Sequence, residues 1–435
     1  MQRKWSRGTF LKVGGGVSVA ALLGGCGGFG VGQSTGGLGG GVTIWEISTG
    51  IEKASLLEEL ARFNEEHPGV DAKMQFFEND PYKQKLRVAM GAGNPPDVFY
   101  SWGGGNLESY VDAGKVYDLS EALENDPDWG EEFLPNVMEG VTFDGKAYGV
   151  PVTDVQPNCV FYNRAIFEEY GLSPPETFDG LKDVISALKG EGVIPIALGG
   201  QSKWTYMIWM QQLVLRVGGA APFDRVIRGE TNAWSDPAFV EAGTMLQDLV
   251  RMGAFEEGFA GVSFDTGQAS ALLNTGTAAM HHIGVYDYEN HLTANPDFVE
   301  NKLGWFRFPA VGGEDPVDAS GNLANFYSVS RASKNKEEAI TFLKEGTLSV
   351  ETRIKNGAVP PVKGIEPRLE EAENSSWLSF VYDLVKGAPN YQLSWDQALS
   401  PVLAERLLVN LEQMVLLASA PKDFSAAMNE AMREA

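Results

Sequence analysis

The sequence predicts an α/β protein of two lobes, each a mostly parallel sheet flanked by helices. Three observations lead there. From residue 42 onward, short apolar strands alternate with amphipathic helices, the pattern of parallel strands joined by crossover helices. The chain has 435 residues, and the roughly four hundred beyond its glycine-rich N-terminal segment exceed one ordinary core. Residues 97–111, DVFYSWGGGNLESYV, compress a buried strand, four aromatics, a triple glycine and a helix start into fifteen positions. Ligands of open α/β sheets bind at such strand-to-helix turns.

The N-terminus reads as an address. Arg3, Lys4, Arg7 and Lys12 flank the short apolar run 13–23, the form of an export signal and too short to span a bilayer. Leu23, Gly24, Gly25 and Cys26 resemble a bacterial lipobox, which implies lipidation of Cys26 and a membrane anchor. Residues 6–12, SRGTFLK, resemble a twin-arginine motif with Gly8 in place of the second arginine, so Sec and twin-arginine export both stay open. Residues 27–41, rich in Gly, Ser and Thr, cannot bury enough surface to order themselves and read as a tether. The other cysteine, Cys159, lies in the apolar run CVFY and reads as a buried structural thiol, so no intrachain disulfide is expected once Cys26 carries lipid.

Net charge is −24, and removal of the signal, with four basic and no acidic residues, makes it −28. Such a surface repels nucleic acid and anionic membranes and suits a neutral or cationic ligand. No cofactor is expected, because the chain has no P-loop, dinucleotide fingerprint, nucleophile elbow or paired-histidine zinc motif. His281 and His282 are adjacent, so they point to opposite sides of a strand and do not share a metal.

The elements follow in order. Residues 42–47 form a strand, Ser48, Thr49 and Gly50 a polar turn, and 51–66 a helix with Leu56, Leu57, Leu60 and Phe63 on its apolar face. Residues 70–77 are the next strand, 82–92 the next helix, and 98–100 a buried strand after the turn signal Asn94, Pro95, Pro96. Gly103, Gly104 and Gly105 free the backbone there, and Asn106 is the expected cap of the following helix. Asp144 and Gly145 form a hairpin turn, and 143–152 crosses between lobes. Helices at 165–170, 180–189 and 204–217 and a strand at 194–198 belong to the second lobe.

A neutral guest at such a turn would meet aromatic platforms with carboxylate and amide groups between them. Strand-end positions supply candidates: Glu46, Ser48 and Thr49 after the first strand, and Tyr100, Ser101, Trp102 and Gly103 after the third. Asn79 and Asp80 precede the second helix and serve either as ligands or as its caps. Tyr100 and Trp102 serve either as platforms or as core.

The segments 56–70 (LLEELARFNEEHPGV), 84–121, 145–152 (GKAYGVPV), 161–181 (FYNRAIFEEYGLSPPETFDGL), 271–289 (ALLNTGTAAMHHIGVYDYE), 356–363 (NGAVPPVK) and 393–401 (LSWDQALSP) occur in this order. Together they resemble extracellular solute-binding protein family 1, the maltose-binding-protein-like sugar receptors of ABC importers. The resemblance implies a periplasmic-binding-protein-like clamp (type II) with discontinuous lobes: 42–151 plus 264–322, and 152–263 plus 323–435. It implies a carbohydrate ligand, an oligosaccharide by preference, and ABC permease transmembrane subunits as partners of a monomeric, non-catalytic, extracytoplasmic protein. It adds Trp204, Tyr286, Asp287, Trp395 and Asp396 to the ligand-binding candidates. Two alternatives stand beside it: a secreted cleft-type glycoside-active enzyme built on some pair of the many carboxylates, and a receptor for a non-sugar solute such as a polyamine.

Overall fold

In a computed structural model, residues 41–312 and 317–434 are described. The expected signal (1–26) with Cys26 and all but the last residue of the tether (27–41) lie outside the described residues.

Two sheets, each with its own core, make up the described chain. In the first, β1 (Thr43–Glu46) lies parallel between β2 (Lys73–Phe76) and β3 (Val98–Ser101). A small hairpin of β4 (Thr142–Phe143) and β5 (Lys146–Ala147) turns at Asp144 and Gly145, both at positive φ (51° and 75°), as an Asp-Gly turn of this kind requires. It leads to β6 (Val150–Pro151). The second sheet holds β7 (Gln156–Asn163), β8 (Ile194–Ala197), β9 (Ala278–Gly284), β10 (Leu303–Phe306) and β11 (Ala319–Asn322). The chain then returns to the first sheet as β12 (Phe326–Val329), between β3 and β6, and ends its strands with β13 (Tyr391–Leu393) beside β11.

The α/β class is as expected, but the sheets are mixed rather than mostly parallel. β12 runs antiparallel to β3 and β6, and β7 antiparallel to β9, β10 and β11. A strand arriving from the other sheet has no crossover helix to reverse it and enters against its neighbours.

The partition of the later chain also differs from expectation. Residues 264–322, expected in the first lobe, supply β9, β10 and β11 to the second sheet. Conversely, β12 and the helix Lys336–Glu345, expected in the second lobe, complete the first sheet and its core, where Phe326, Tyr327 and Phe342 meet Phe63 and Phe99. From the helix Val350–Lys355 onward the chain packs on the second core, around Phe161, Trp209, Trp234 and Trp377. Burial identifies a strand, but nothing local distinguishes two sheets of similar composition; β9 is buried throughout and fits the centre of either.

Helix α1 (Gly50–Glu66) buries Leu56, Leu60 and Phe63, while Leu57 is exposed. Helix α2 (Asn79–Ala92) begins three residues before the sequence places it, so Asn79 and Asp80 form its first turn. Helix α3 (Gly104–Asp112) begins at Gly103, at φ 72°, and Asn106 sits inside it rather than capping it. The two strands that cross between the sheets are tied to each other. Val152 N donates to Asn325 O (2.9 Å), Asn325 N to Thr153 Oγ1 (2.7 Å) and Asn325 Nδ2 to Gln156 Oε1 (2.9 Å).

Candidate functional site

A cavity of about 430 Å³ lies between the two sheets, with the crossing strands at its side. The first-sheet wall grows from the turns that end β1 and β3. Glu46 is buried, and its Oε1 accepts from Ile47 N (2.7 Å), Ser48 N (3.1 Å) and Ser48 Oγ (3.0 Å), while its other oxygen accepts from Tyr327 OH. Burial raises its pKa against those hydrogen bonds. Glu46 thus shapes the turn from behind, and it is Ser48 and Thr49 that face the cavity.

After β3, Tyr100 and Trp102 line the cavity edge to face with each other, 5.3 Å between ring centroids. Both are largely buried, and Tyr82 packs edge-on against Trp102 at 5.8 Å. Ser101 points the other way, to Ser328 Oγ at 3.1 Å within the sheet. Gly103 serves the backbone: a Cβ there would lie 2.6 Å from Gly140 O. On α2, Asn79 and Lys83 share a face at i and i+4 and both line the cavity, whereas Asp80 only accepts from Asn79 Nδ2 at 3.2 Å.

The second-sheet wall is also aromatic. Trp204 packs edge-on against Phe264 (5.0 Å) and Tyr286 (6.4 Å), and all three line the cavity. Trp204 Nε1 is buried without a protein acceptor among the described residues. Tyr286 folds back over Gly284, where a Cβ would lie 2.1 Å from the ring, so this platform requires a glycine two residues before it. Opposite, Asp396 takes an ion pair from Lys83 across the cavity (3.2 Å) and a hydrogen bond from Gln397 Nε2 (2.9 Å), and the Lys83 ammonium stands 4.8 Å over the Trp102 ring.

Two of the expected residues are behind the walls. Trp395 is fully buried, stacked on Phe223 at 4.7 Å with Nε1 donating to Gln392 Oε1 (2.7 Å). Its position in the short helix Trp395–Ala398 turns the indole into the core and Asp396 into the cavity. Asp287 is fully buried beneath the wall, bonded to Ser270, Asn290 and His281, with His291 Nε2 3.1 Å away. Of the fourteen sequence candidates, Ser48, Thr49, Asn79, Tyr100, Trp102, Trp204, Tyr286 and Asp396 line the cavity; Glu46, Asp80, Ser101, Gly103, Asp287 and Trp395 do not.

The structure adds polar groups that the sequence reading missed. Glu52, Lys83, Asp265, Glu289 and Asn290, with Gln156, Asn322 and Asn325 from the crossing strands, all face the cavity. The i, i+4 spacing of Asn79 and Lys83 and the turn-like Asp265-Thr266-Gly267 were available signals. Carboxylates outnumber cations here. Burial, then the charges of Glu46 and Asp154, pushes Glu52 up to about 8, and burial with neighbouring Asp80 pushes Asp265 up to about 6. The same forces raise Glu289. The arrangement offers aromatic faces on both walls and many hydrogen-bond acceptors between them, matched to a guest with apolar faces and hydroxyl donors.

Residues 48–347 match the bacterial extracellular solute-binding protein family. The chain belongs to that family. Its cavity lies between two sheets that the chain crosses three times. This solute-binding protein is 30% identical over 209 residues to an uncharacterized ABC transporter extracellular-binding protein of Pyrococcus horikoshii. That match spans under half of either protein, 46% of this chain and 45% of the relative. It is 24% identical over 371 residues to the xylose/arabinose-binding protein XacG of Haloferax volcanii, spanning 83% of this chain and 75% of that one. A solved structure from work on xylan utilization by Caldanaerobius polysaccharolyticus superposes with a TM-score of 0.82 at 31% identity, covering 89% of this chain and 99% of that one.

Proposed function

We propose that this solute-binding protein captures a sugar or oligosaccharide outside the cytoplasmic membrane and delivers it, chemically unchanged, to the transmembrane subunits of an ABC importer. The observation that carries the reading is the pairing of two aromatic walls, Tyr100 with Trp102 and Trp204 with Tyr286, across one cavity lined by amides and carboxylates. Rings on both walls stack on a sugar only when the lobes are together, so binding favours the closed arrangement. The relatives' association with xylose, arabinose and xylan supports pentose-based oligosaccharides as the first ligands to try.

In this reading the protein is a monomer held at the membrane by lipid on Cys26, with residues 27–41 as the tether. Labelling cells with a clickable fatty acid is expected to mark the wild type and not Cys26→Ser; an unlabelled wild type removes the anchor.

A thermal-shift panel of xylotriose, maltotriose, stachyose, N,N′-diacetylchitobiose and spermidine tests the function. Binding to the native state alone raises the midpoint with the logarithm of ligand excess. A shift with at least one oligosaccharide, none with spermidine and no release of reducing sugar is expected. Sugar release would establish an enzyme, and a shift with spermidine alone would establish a polyamine receptor.

A further inference from the structure

We propose that Asp287, although it does not reach the cavity, is the positioning residue that fixes the hydrogen-bonding sense of the wall formed by Ser270 and Asn290. The inference rests on the cleft being the sugar site and specifies how one wall of it is set.

Both wall residues face the cavity. Behind them, Asp287 is fully buried at the start of the helix Asp287–Ala294. Its Oδ1 accepts from Ser270 Oγ (2.6 Å) and Asn290 Nδ2 (3.0 Å). Its Oδ2 lies 3.0 Å from His281 Nδ1, on β9, and 3.1 Å from His291 Nε2, one helical turn on. His291 Nδ1 in turn lies 2.5 Å from Asn274 Oδ1. One carboxylate therefore gathers groups from two helices and a strand.

An ionised carboxylate only accepts hydrogen bonds. Each partner must then give it a proton, and that obligation decides what remains for the ligand. The Ser270 hydroxyl directs its hydrogen inward and leaves its lone pairs toward the cavity. Asn290 turns Nδ2 inward, so its carbonyl oxygen is the amide atom directed away from Asp287. Both groups meet a guest as acceptors, the sense that suits sugar hydroxyl donors. Burial by itself would raise the Asp287 carboxyl, but the charge of His291 and the hydrogen bonds from His281 and His291 hold it well below the usual range. His282 takes no part, because its Nδ1 faces Cys159 O at 2.8 Å on the other side of the strand.

The test is Asp287→Asn, which preserves shape but introduces a donor where only an acceptor stood. The variant and the wild type are titrated calorimetrically with xylotriose, maltotriose, stachyose and N,N′-diacetylchitobiose. Affinity for the sugar that the wild type binds is expected to fall more than about tenfold, because a donor introduced at the buried site faces the donors it should accept from. In a Ser270→Ala/Asn290→Ala background, adding Asp287→Asn should cost less than about twofold more, because the groups it directs are gone. A merely structural Asp287 would instead give the same loss in both backgrounds.

A second measurement needs no variant. The imidazole N–H proton signals of His281 and His291 in the wild type are expected to shift on saturation with sugar, since the ligand pulls on groups bonded to the same carboxylate. Affinity within twofold of wild type in Asp287→Asn, equal losses in the two backgrounds, or unmoved imidazole signals would each overturn the proposal; if the variant does not fold, the imidazole signals decide. A wild type that binds none of these sugars would instead remove the sugar reading, and this proposal with it.

Discussion

Tryptophans 102 and 395 show how far residue type alone reaches. Both were sequence candidates for stacking on a sugar, yet Trp102 lines the cavity while Trp395 is stacked on Phe223 inside the second core. A ring at the end of a strand has either fate, and the choice depends on the partner that arrives from elsewhere in the chain. Trp395→Ala is expected to cost about 3–5 kcal/mol of stability, as truncating a buried aromatic does, readable as a large drop in thermal midpoint. Trp102→Ala is expected to weaken sugar binding by more than about tenfold, roughly 1.4 kcal/mol or more, with a smaller midpoint drop because Tyr82 and Tyr100 still pack there. A reversed order of the two midpoint drops would exchange their roles. Glu52 was missed because its carboxylate acts through burial and neighbouring charge, neither of which a sequence displays. Its pKa is raised from 4.5 to about 8 by burial and then by Glu46 and Asp154, so the folded state holds a proton that the unfolded chain releases. The resulting stability is fully present below about pH 4.5 and is lost as pH rises through about 8. The thermal midpoint of the wild type is expected to fall between pH 5 and 9, and Glu52→Gln to flatten that fall; identical slopes would show that Glu52 does not titrate this way.

The strand–triple-glycine–helix stretch was legible as a turn at the ligand side of the sheet, but the reason for three glycines was not. Freedom at positive φ explains Gly103. Gly105 answers to a different constraint, since a Cβ there would lie 2.5 Å from Ala398 O, and α3 therefore packs directly against the backbone that follows Asp396 and Gln397. That contact joins segments nearly three hundred residues apart, so no local pattern announces it. Gly105→Ala is expected to destabilise the protein by about 1–3 kcal/mol, the usual cost of overpacking, and to weaken sugar binding by displacing Asp396 and Gln397. Unchanged affinity with lowered stability would mean that the short helix Trp395–Ala398 holds its cavity residues independently of α3. Strand and helix existence was otherwise read well between residues 42 and 112, with boundaries off by one to three positions. Such ends are set by tertiary contacts more than by propensity.

For the molecule as a whole, the α/β class, two cores and an aromatic cleft were legible in the sequence, whereas the sheets joined by 264–322 and by 323–345 were not. Which sheet a strand joins is decided by long-range pairing, and the two cores are built from the same residue types. Besides the packing of α3 on the backbone near Ala398, several polar contacts bridge the two cores. Ile51 N donates to Thr293 Oγ1 (3.1 Å), Asn356 Nδ2 to Ser55 Oγ (3.3 Å), and Lys83 pairs with Asp396 (3.2 Å). A ligand that touches both walls would add to these contacts and, by binding only when they are together, would favour the closed arrangement. The most direct check of this account is a calorimetric titration of the wild-type protein with xylotriose and the other oligosaccharides, followed by mass spectrometry of the sugar recovered from the complex. One sugar bound per chain, saturably, and recovered at its original mass is the expected result; a shortened sugar, or no binding by any of them, would contradict it.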